Sequence, residues 1–293
     1  VCQPTISVII PTLNAENEID QLLSLLERQT LTPSEILVVD SSSDDNTAAE
    51  VKKHPSTSLM VIDRSSFNHG GTRDLAFRKT TGEIVCFLTQ DAIPENSDYL
   101  EKLVRPILDN PEVALSSGRQ LPKSDARRFE QLVRSFNYPD YASVRGKEDL
   151  SIYGIKTFFA SDVCSAYRRR AYIACGGFPQ VVTNEDMLMA ARFIDNGYKV
   201  AYVPAATVFH SHNLKPSQQY ERNKAIGSIL ESHSDELMGA SEIGEGGKLV
   251  KAVSAQLLRE GRVGEFFLFG IDCAARFLGN RAGRAEARKV MKK

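Results

Sequence analysis

The sequence predicts an α/β protein built on a largely parallel sheet, and two observations carry that reading. Short apolar runs rich in Val, Ile and Phe alternate with segments whose apolar residues recur at helical spacing. Several of these runs stop abruptly at acidic, polar or glycine-rich stretches, and ligands of open α/β sheets gather just beyond the carboxyl ends of the strands. A chain of 293 residues has room for one large domain of this class or two small ones.

Residues Ile6 to Ile10 form a first strand stopped by Pro11. Asn14 is placed to cap the helix that follows, where Ile19, Leu22, Leu23 and Leu26 make one buried face. Glu35 to Val39 is a second strand that delivers Asp40 to the sheet edge, and Asp45 or Asn46 caps a short helix after the polar turn. A third strand, Leu59 to Ile62, leads into Phe67-Asn-His-Gly-Gly-Thr-Arg-Asp74. There Gly70 and Gly71 allow close backbone approach to an anion ahead of a helix N-terminus, with Arg73 beside them; the plainer alternative is a tight turn with a surface arginine.

Glu83 to Leu88 reads as a strand buried on both faces, after which the chain turns polar at Thr89-Gln90-Asp91. Asp91 either meets a hard cation and a phosphate or turns and caps the chain ahead of a helix near Ser97. Tyr99 to Leu108 is an amphipathic helix and Val113 to Ser117 a further strand, while Pro122 to Tyr153 reads as a helix and a mobile loop beside the site. Asn184-Glu185-Asp186 opens a helix running to about Asn196, with Met187, Leu188, Ala191 and Ile194 on its buried face; the two carboxylates are either dipole caps or site residues. Lys199 to Val203 is a strand ended by Pro204. In Val208 to His212 the alternation puts His210 and His212 on one side, suited to a metal or a phosphate. No G-x-G-x-x-G follows the first strand, which excludes a dinucleotide site of that kind.

Composition narrows the class. A net charge of −1 and the absence of any recognisable motif argue against nucleic acid as a partner. The five cysteines, Cys2 among them, are widely spaced with no C-x-x-C pair, so neither a zinc ribbon nor a disulfide framework is expected, and a reducing cytoplasm is. No apolar run reaches the roughly 18–20 residues of a spanning helix, and no signal peptide is visible. The chain opens on Val1, so a few residues are expected to precede it. From Lys248 to Lys293 there are 11 Lys plus Arg against 4 Asp plus Glu, within two expected helices, Lys248 to Arg259 and Glu265 to Leu278. Phe266, Phe267, Phe269 and Phe277 stripe the second, which suits a peripheral membrane anchor, a hairpin closing the core or a dimer contact.

Taken in order, the pieces from Ile6 to His212 resemble the family 2 glycosyltransferases of the GT-A fold. Pro11-Thr-Leu-Asn14 resembles that family's P-x-x-N, and Val38-Val-Asp-Ser-Ser-Ser-Asp-Asp-Asn-Thr47 its V-V-D-D-G-S-x-D-G-T. Thr72-Arg73-Asp74 is similar to A-R-N, and Arg169-Arg170, Gly176-Gly177-Phe178 and Glu185-Asp186 to R-R…G-G-F…E-D. Two positions depart: D-x-D becomes Thr89-Gln90-Asp91, and Ser41 replaces the second aspartate of D-D, leaving a metal fewer charged ligands. The pairing of F-N-H-G-G-T-R with T-Q-D-A resembles bacterial rhamnosyltransferases that build surface polysaccharides such as O-antigen, capsule or cell wall.

The resemblance implies a GT-A catalytic domain over residues 1–213 (a Rossmann-like nucleotide-binding sheet flanked by helices) and a C-terminal helical extension over 214–293. It implies inverting transfer of L-rhamnose from dTDP-β-L-rhamnose to a saccharide acceptor, lipid-linked, by a peripheral enzyme at the inner face of the bacterial cytoplasmic membrane. Asp186 is then the catalytic base, with Glu185 as the rival. Pro11, Thr12, Asn14, Asp40, His69, Gly70, Gly71, Arg73, Gln90 and Asp91 surround the nucleotide sugar, with Asp40 accepting from the base. Ser161, Asp162 and Arg222 face the acceptor, and Mg²⁺ or Mn²⁺ is held by Asp91 with His212 or His210. Gln219-Tyr-Glu-Arg222-Asn223 resembles the Q-x-x-R-W of processive members with Asn for Trp, which implies addition of one or a few sugars. The competing readings are a UDP-sugar transferase and a non-catalytic nucleotide-sugar scaffold. A glycoside hydrolase needs two carboxylates flanking its bond and no diphosphate cradle.

Overall fold

Strands β1 (Ile6–Thr12), β2 (Glu35–Asp40), β3 (Thr57–Val61) and β4 (Ile84–Leu88) lie side by side in the order β3-β2-β1-β4, every pair parallel. The computed structural model describes residues 4–240 and 245–292, so Cys2 and Lys293 lie outside the described residues. Helices cover both faces of β1, β2 and β4, whose residues are accordingly mostly apolar without alternation, while β3 at the sheet edge stays partly exposed. β1 continues through Pro11, which pairs with Val39. The ladder to β4 ends at Ile9, so the missing proline N–H interrupts no bond on that side.

Beyond β4 the sheet is mixed. β5 (Ile93–Pro94), β6 (Val113–Leu121), β7 (Ser143–Arg145), β8 (Cys164–Arg168) and β9 (Lys199–Phe209) continue it in the order β4-β8-β6-β9-β5, with β7 also on β9. β8 is antiparallel to both β4 and β6 because the chain enters it at the carboxyl edge, where Cys164 pairs with Leu88. β9 does not stop at Pro204: the register against β6 jumps from Gly118–Val203 to Arg119–Thr207, and this bulge absorbs the proline. The strand then resumes and carries His210 to the site.

The helices are α1 (Ile19–Glu27), α2 (Thr47–Val51), α3 (His69–Lys79), α4 (Tyr99–Asp109), α5 (Arg128–Asn137), α6 (Leu150–Tyr153), α7 (Arg169–Ala174), α8 (Glu185–Asp195), α9 (Pro216–Ser232), α10 (Glu245–Arg259) and α11 (Val263–Met291). On one face of the sheet, Ile19, Leu22, Leu23 and Leu26 of α1 and Leu100, Leu103 and Ile107 of α4 form the core. On the other, Phe77 of α3, Tyr172 of α7 and Leu188, Phe193 and Ile194 of α8 pack around Phe87 and Tyr167. Asn14 does not cap α1, which begins five residues later. It takes a left-handed φ of 52° and its Oδ1 accepts from the Asp44 N–H at 2.9 Å, tying two edge loops together. Asp45 caps α2, accepting from the Thr47 N–H and hydroxyl.

Residues 216–291 wrap back onto this body. A Cβ at Gly279 would lie 2.3 Å from the Tyr220 carbonyl oxygen and one at Gly283 1.9 Å from that of Lys224, so α9 and α11 approach as closely as they do only because glycine stands there. Phe129 and Val133 of α5, Val253 and Leu257 of α10, and Phe269 of α11 form a third core cluster. α11 runs to Met291, well past the expected Leu278, and of its phenylalanines Phe269 is buried while Phe267 and Phe277 are exposed. No helix among the described residues is long and apolar enough to cross a membrane.

Candidate active site

Three connected cavities line the carboxyl edge of the sheet. The first is walled by Pro11, Thr12, Leu13, Ser41, Arg64, Phe67, His69, Arg73, Thr89 and Gln90, mostly apolar walls with a few polar groups, suited to a nucleoside. Gln90 shapes it: its Oε1 accepts from the Leu13 N–H at 2.8 Å and its Nε2 donates to the Leu13 carbonyl at 3.1 Å. Asp40, expected to grip the base, is 2% exposed and outside this wall. It accepts from the Thr12 hydroxyl and from the Ser43 N–H and hydroxyl, so its role is to hold the two loops that make the pocket. Arg64, which sequence reasoning missed, bonds the Ser41 and Ser42 carbonyls and pairs with Asp44.

The end of β4 and the end of β9 meet at Asp91, His210 and His212, whose ligand atoms all lie within 4.8 Å of one another. Asp91 Oδ2 is 3.4 Å from His210 Nε2, 3.3 Å from His212 Nε2 and 3.7 Å from Lys123 Nζ. Burial pushes the His210 imidazole down to about 3 and also lowers that of His212, so both are neutral ligands. Burial acts to raise the Asp91 carboxyl, yet His210, His212 and Lys123 hold it below the ordinary range, as a carboxylate. Gln120 fixes the tautomer of His210. Its amide donates to the Ser161 hydroxyl and its Oε1 accepts from Arg134, so the same oxygen accepts from His210 Nδ1–H at 2.9 Å. The His210 Nε2 lone pair then faces the Asp91 carboxylate, an arrangement that favours a cation between them. The donor set therefore fits a divalent metal.

Between these two features lies a buried charge cluster. Arg73 is 3% exposed, 3.1 Å from Glu185 Oε1 and 3.7 Å from Asp162 Oδ2, and its Nη1 donates to His69 Nδ1 at 2.9 Å. Burial, helped by Arg73 and Arg222, pushes His69 down to about 4, leaving a neutral ring whose Nε2–H is free to donate into the cavity. Asp162 accepts from the Ser165 and Tyr167 hydroxyls and is 2% exposed. Asp186, at the start of α8, accepts from the Asp162 N–H at 3.2 Å and lines the second cavity. Burial first, then Glu185 and Asp162, raise its carboxyl well above the usual range. Asn184 immediately before it takes a left-handed φ of 61°, a conformation asparagine tolerates and one that lets two carboxylates open a helix facing inward.

One sheet edge thus gathers a largely apolar pocket, a donor set that fits a cation and a carboxyl of raised proton affinity. The chain matches the model of the family described as glycosyl transferase family 2 over residues 7–176, more than half its length. It belongs to glycosyltransferase family 2. Over 219 residues it is 42% identical to the O-antigen chain rhamnosyltransferase RfbN of Salmonella typhimurium, covering 74% of this chain and 69% of that relative. It is 41% identical over 222 residues to the O-antigen chain rhamnosyltransferase WbaN of Salmonella anatum, covering 75% and 70%. Among solved structures, the mannosyltransferase PcManGT from Pyrobaculum calidifontis, in complex with GDP-Man and Mn²⁺, aligns with a TM-score of 0.66 at 18% identity, covering 96% of this chain and 87% of that one. That last likeness is one of fold, and the GT-A architecture expected from the motifs is the one observed.

In this glycosyltransferase two expectations about backbone groups change. The Gly70 N–H donates to the Val181 carbonyl and the Gly71 N–H to Asn68 Oδ1, so neither amide is available to a phosphate. Gly70 is required for packing, since a Cβ there would lie 1.9 Å from the Pro179 carbonyl oxygen. Asp162 and Arg73, expected at the acceptor and the diphosphate, both line the second cavity, Arg73 the first as well, and they also brace Glu185; their burial could not be read from one sequence. Ser161 and Arg222 line the second cavity as expected. Arg134, Tyr138, Phe159 and Arg276 line it or its neighbour and carried no signal, because they stand in segments without a recognisable motif.

Proposed function

We propose that this glycosyltransferase moves L-rhamnose from dTDP-β-L-rhamnose to a lipid-linked saccharide acceptor, with inversion, in the assembly of a bacterial surface polysaccharide such as O-antigen. The observation that carries the mechanism is Asp186: of the three carboxyls of raised proton affinity that line the second cavity, Asp162, Glu185 and Asp186, it is the one with no ion pair to Arg73. The sugar is supported by the identity with RfbN and WbaN.

Pro11, Thr12, Leu13 and Gln90 seat the nucleoside, and His69 Nε2–H donates to the donor where nucleoside and catalytic cavities meet. Asp91, His210 and His212 would hold Mg²⁺ or Mn²⁺, which supplies Lewis-acid charge for the departing diphosphate. Asp186 takes the proton of the acceptor hydroxyl as that oxygen attacks the anomeric carbon from the face opposite the leaving group. Burial raises the Glu185 carboxyl, but Arg73, 3.1 Å away, acts against that and ties it in an ion pair, while Asp186 has no ion pair among the described residues and is the carboxylate free to exchange a proton. A single displacement predicts an α-L-rhamnoside product, and NMR of the anomeric proton checks it; a β product would require a second displacement.

The membrane reading rests on α11. Val263, Phe267, Leu268, Ile271, Phe277 and Leu278 are exposed along one side of it, and the Arg281 guanidinium sits 5.6 Å over the Phe277 ring. Apolar residues flanked by cations, in a tail of 11 Lys plus Arg against 4 acids, complement an anionic bilayer surface. The purified chain is expected to co-sediment with anionic liposomes at low salt, and a Phe267→Glu, Ile271→Glu variant to stay in the supernatant. Absence of binding, or a dimer that this variant dissociates, would assign the face to a second copy of the chain instead.

A further inference from the structure

The third cavity, walled by helices α5, α9 and α11, holds three guanidiniums: Arg134, Arg222 and Arg276. Two of them have partners. Arg134 Nε is 3.0 Å from Glu130 Oε1, and Arg276 Nε is 2.6 Å from Asp272 Oδ2. Arg222 makes no ion pair or side-chain hydrogen bond among the described residues, and Arg276 and Arg134 are the charges that act against it. Arg222 is exposed at the mouth of this cavity, and three guanidiniums along one wall form a positive cluster suited to an anion.

The position of the cavity says whose anion. It shares Tyr138, Phe159, Arg222 and Ile226 with the cavity that contains Asp186, reaches the cation site at His212, and shares no lining residue with the nucleoside pocket. It therefore opens from the Asp186 cavity and the cation site, away from the nucleoside pocket. Arg276 also directly precedes Phe277 and Leu278 of the exposed apolar face, so an anion held there stands next to a surface suited to lipid.

We infer that the Arg134–Arg222–Arg276 cavity binds a diphosphate borne by the acceptor, between the sugar presented to Asp186 and a lipid lying on α11. The inference deepens the transferase reading above and rests on it for the word acceptor. It makes the C-terminal helices part of the substrate site, since Arg276 comes from α11.

The same chemistry could serve the leaving nucleoside diphosphate, and calorimetry on the full chain separates the two. Inorganic pyrophosphate, titrated in EDTA at low salt, probes the cavity without donor or metal. Arg222→Gln is expected to weaken that binding about tenfold or more, Arg276→Gln likewise, and Arg222→Lys to recover part of it. Thermal melts show whether each variant remains folded, and Arg222→Gln removes no ion pair or side-chain hydrogen bond among the described residues. In Mg²⁺, whichever of dTDP or UDP the enzyme binds is expected to bind the variants and the parent equally. An equal loss for the nucleoside diphosphate would assign the arginines to the leaving group, and unchanged pyrophosphate binding would remove the anion role; either overturns the inference. No rhamnose enters these titrations, so a wrong donor would leave their result readable.

Discussion

Asp186→Asn is expected to lower kcat by about 10²–10⁴-fold, the range a positioned general base contributes, with little change in donor affinity. The amide keeps the size of the side chain and can still accept from the Asp162 N–H, so the fold at the start of α8 is preserved while the proton acceptor is lost. Glu185→Gln gives a different pattern. It removes the charge 3.1 Å from Arg73 and leaves a buried guanidinium short of a partner, so its first effect is on the melting temperature. The pH profile distinguishes the two acids further. Asp186 must be ionised to act, and burial with two neighbouring carboxylates raises its proton affinity. The acid limb of kcat/KM therefore lies above the ordinary aspartate range, activity falling as pH drops through it, and Arg73→Gln moves the limb to still higher pH by removing a neighbouring cation. Loss of turnover in Glu185→Gln with an active Asp186→Asn would reverse the assignment.

Asp91→Asn is expected to cost about 100-fold or more in turnover and to abolish the response to added Mg²⁺ or Mn²⁺, since Lewis-acid stabilisation of a departing phosphate amounts to several kcal/mol. Asp91 supplies the one carboxylate of the three-residue cluster, and the neutral imidazoles of His210 and His212 add no charge. His210→Ala should lose less than Asp91→Asn, because His212 and Asp91 still pair, though Gln120 Oε1 then loses one of its two donors. Metal titration followed by activity checks both variants. Full activity of the parent chain in EDTA would show that the cluster acts through Lys123 and Asp91 without a metal.

How far the sequence carried this account differs by element. The strands that lead to Thr12, Asp40 and Asp91 are largely apolar because both faces are covered, and that pattern is local, so it is readable. The i, i+2 spacing of His210 and His212 placed them on one side, and pairing of β5 with β9 at Ile93–Phe209 brings them to Asp91. The antiparallel insertion of β8 was not readable, because strand direction is decided by where the preceding loop emerges. Gly70 and Gly71 show the limit of a motif: glycine marks a close approach, and here the approaching group is the Pro179 carbonyl rather than a ligand. Asp40 and Asp162 were recognised as special residues, but only burial reveals that their carboxylates bond inward. The passage of β9 beyond Pro204 depends on a bulge against β6, a tertiary feature that a rule about single prolines misses.

The central claim is the donor, and calorimetry with dTDP-L-rhamnose, UDP-sugars and GDP-sugars, each with Mg²⁺, Mn²⁺ or EDTA, tests it most directly. The account predicts metal-dependent binding of dTDP-L-rhamnose in preference to the others, weakened by Asp91→Asn. Preferred binding of a UDP- or GDP-sugar would contradict it.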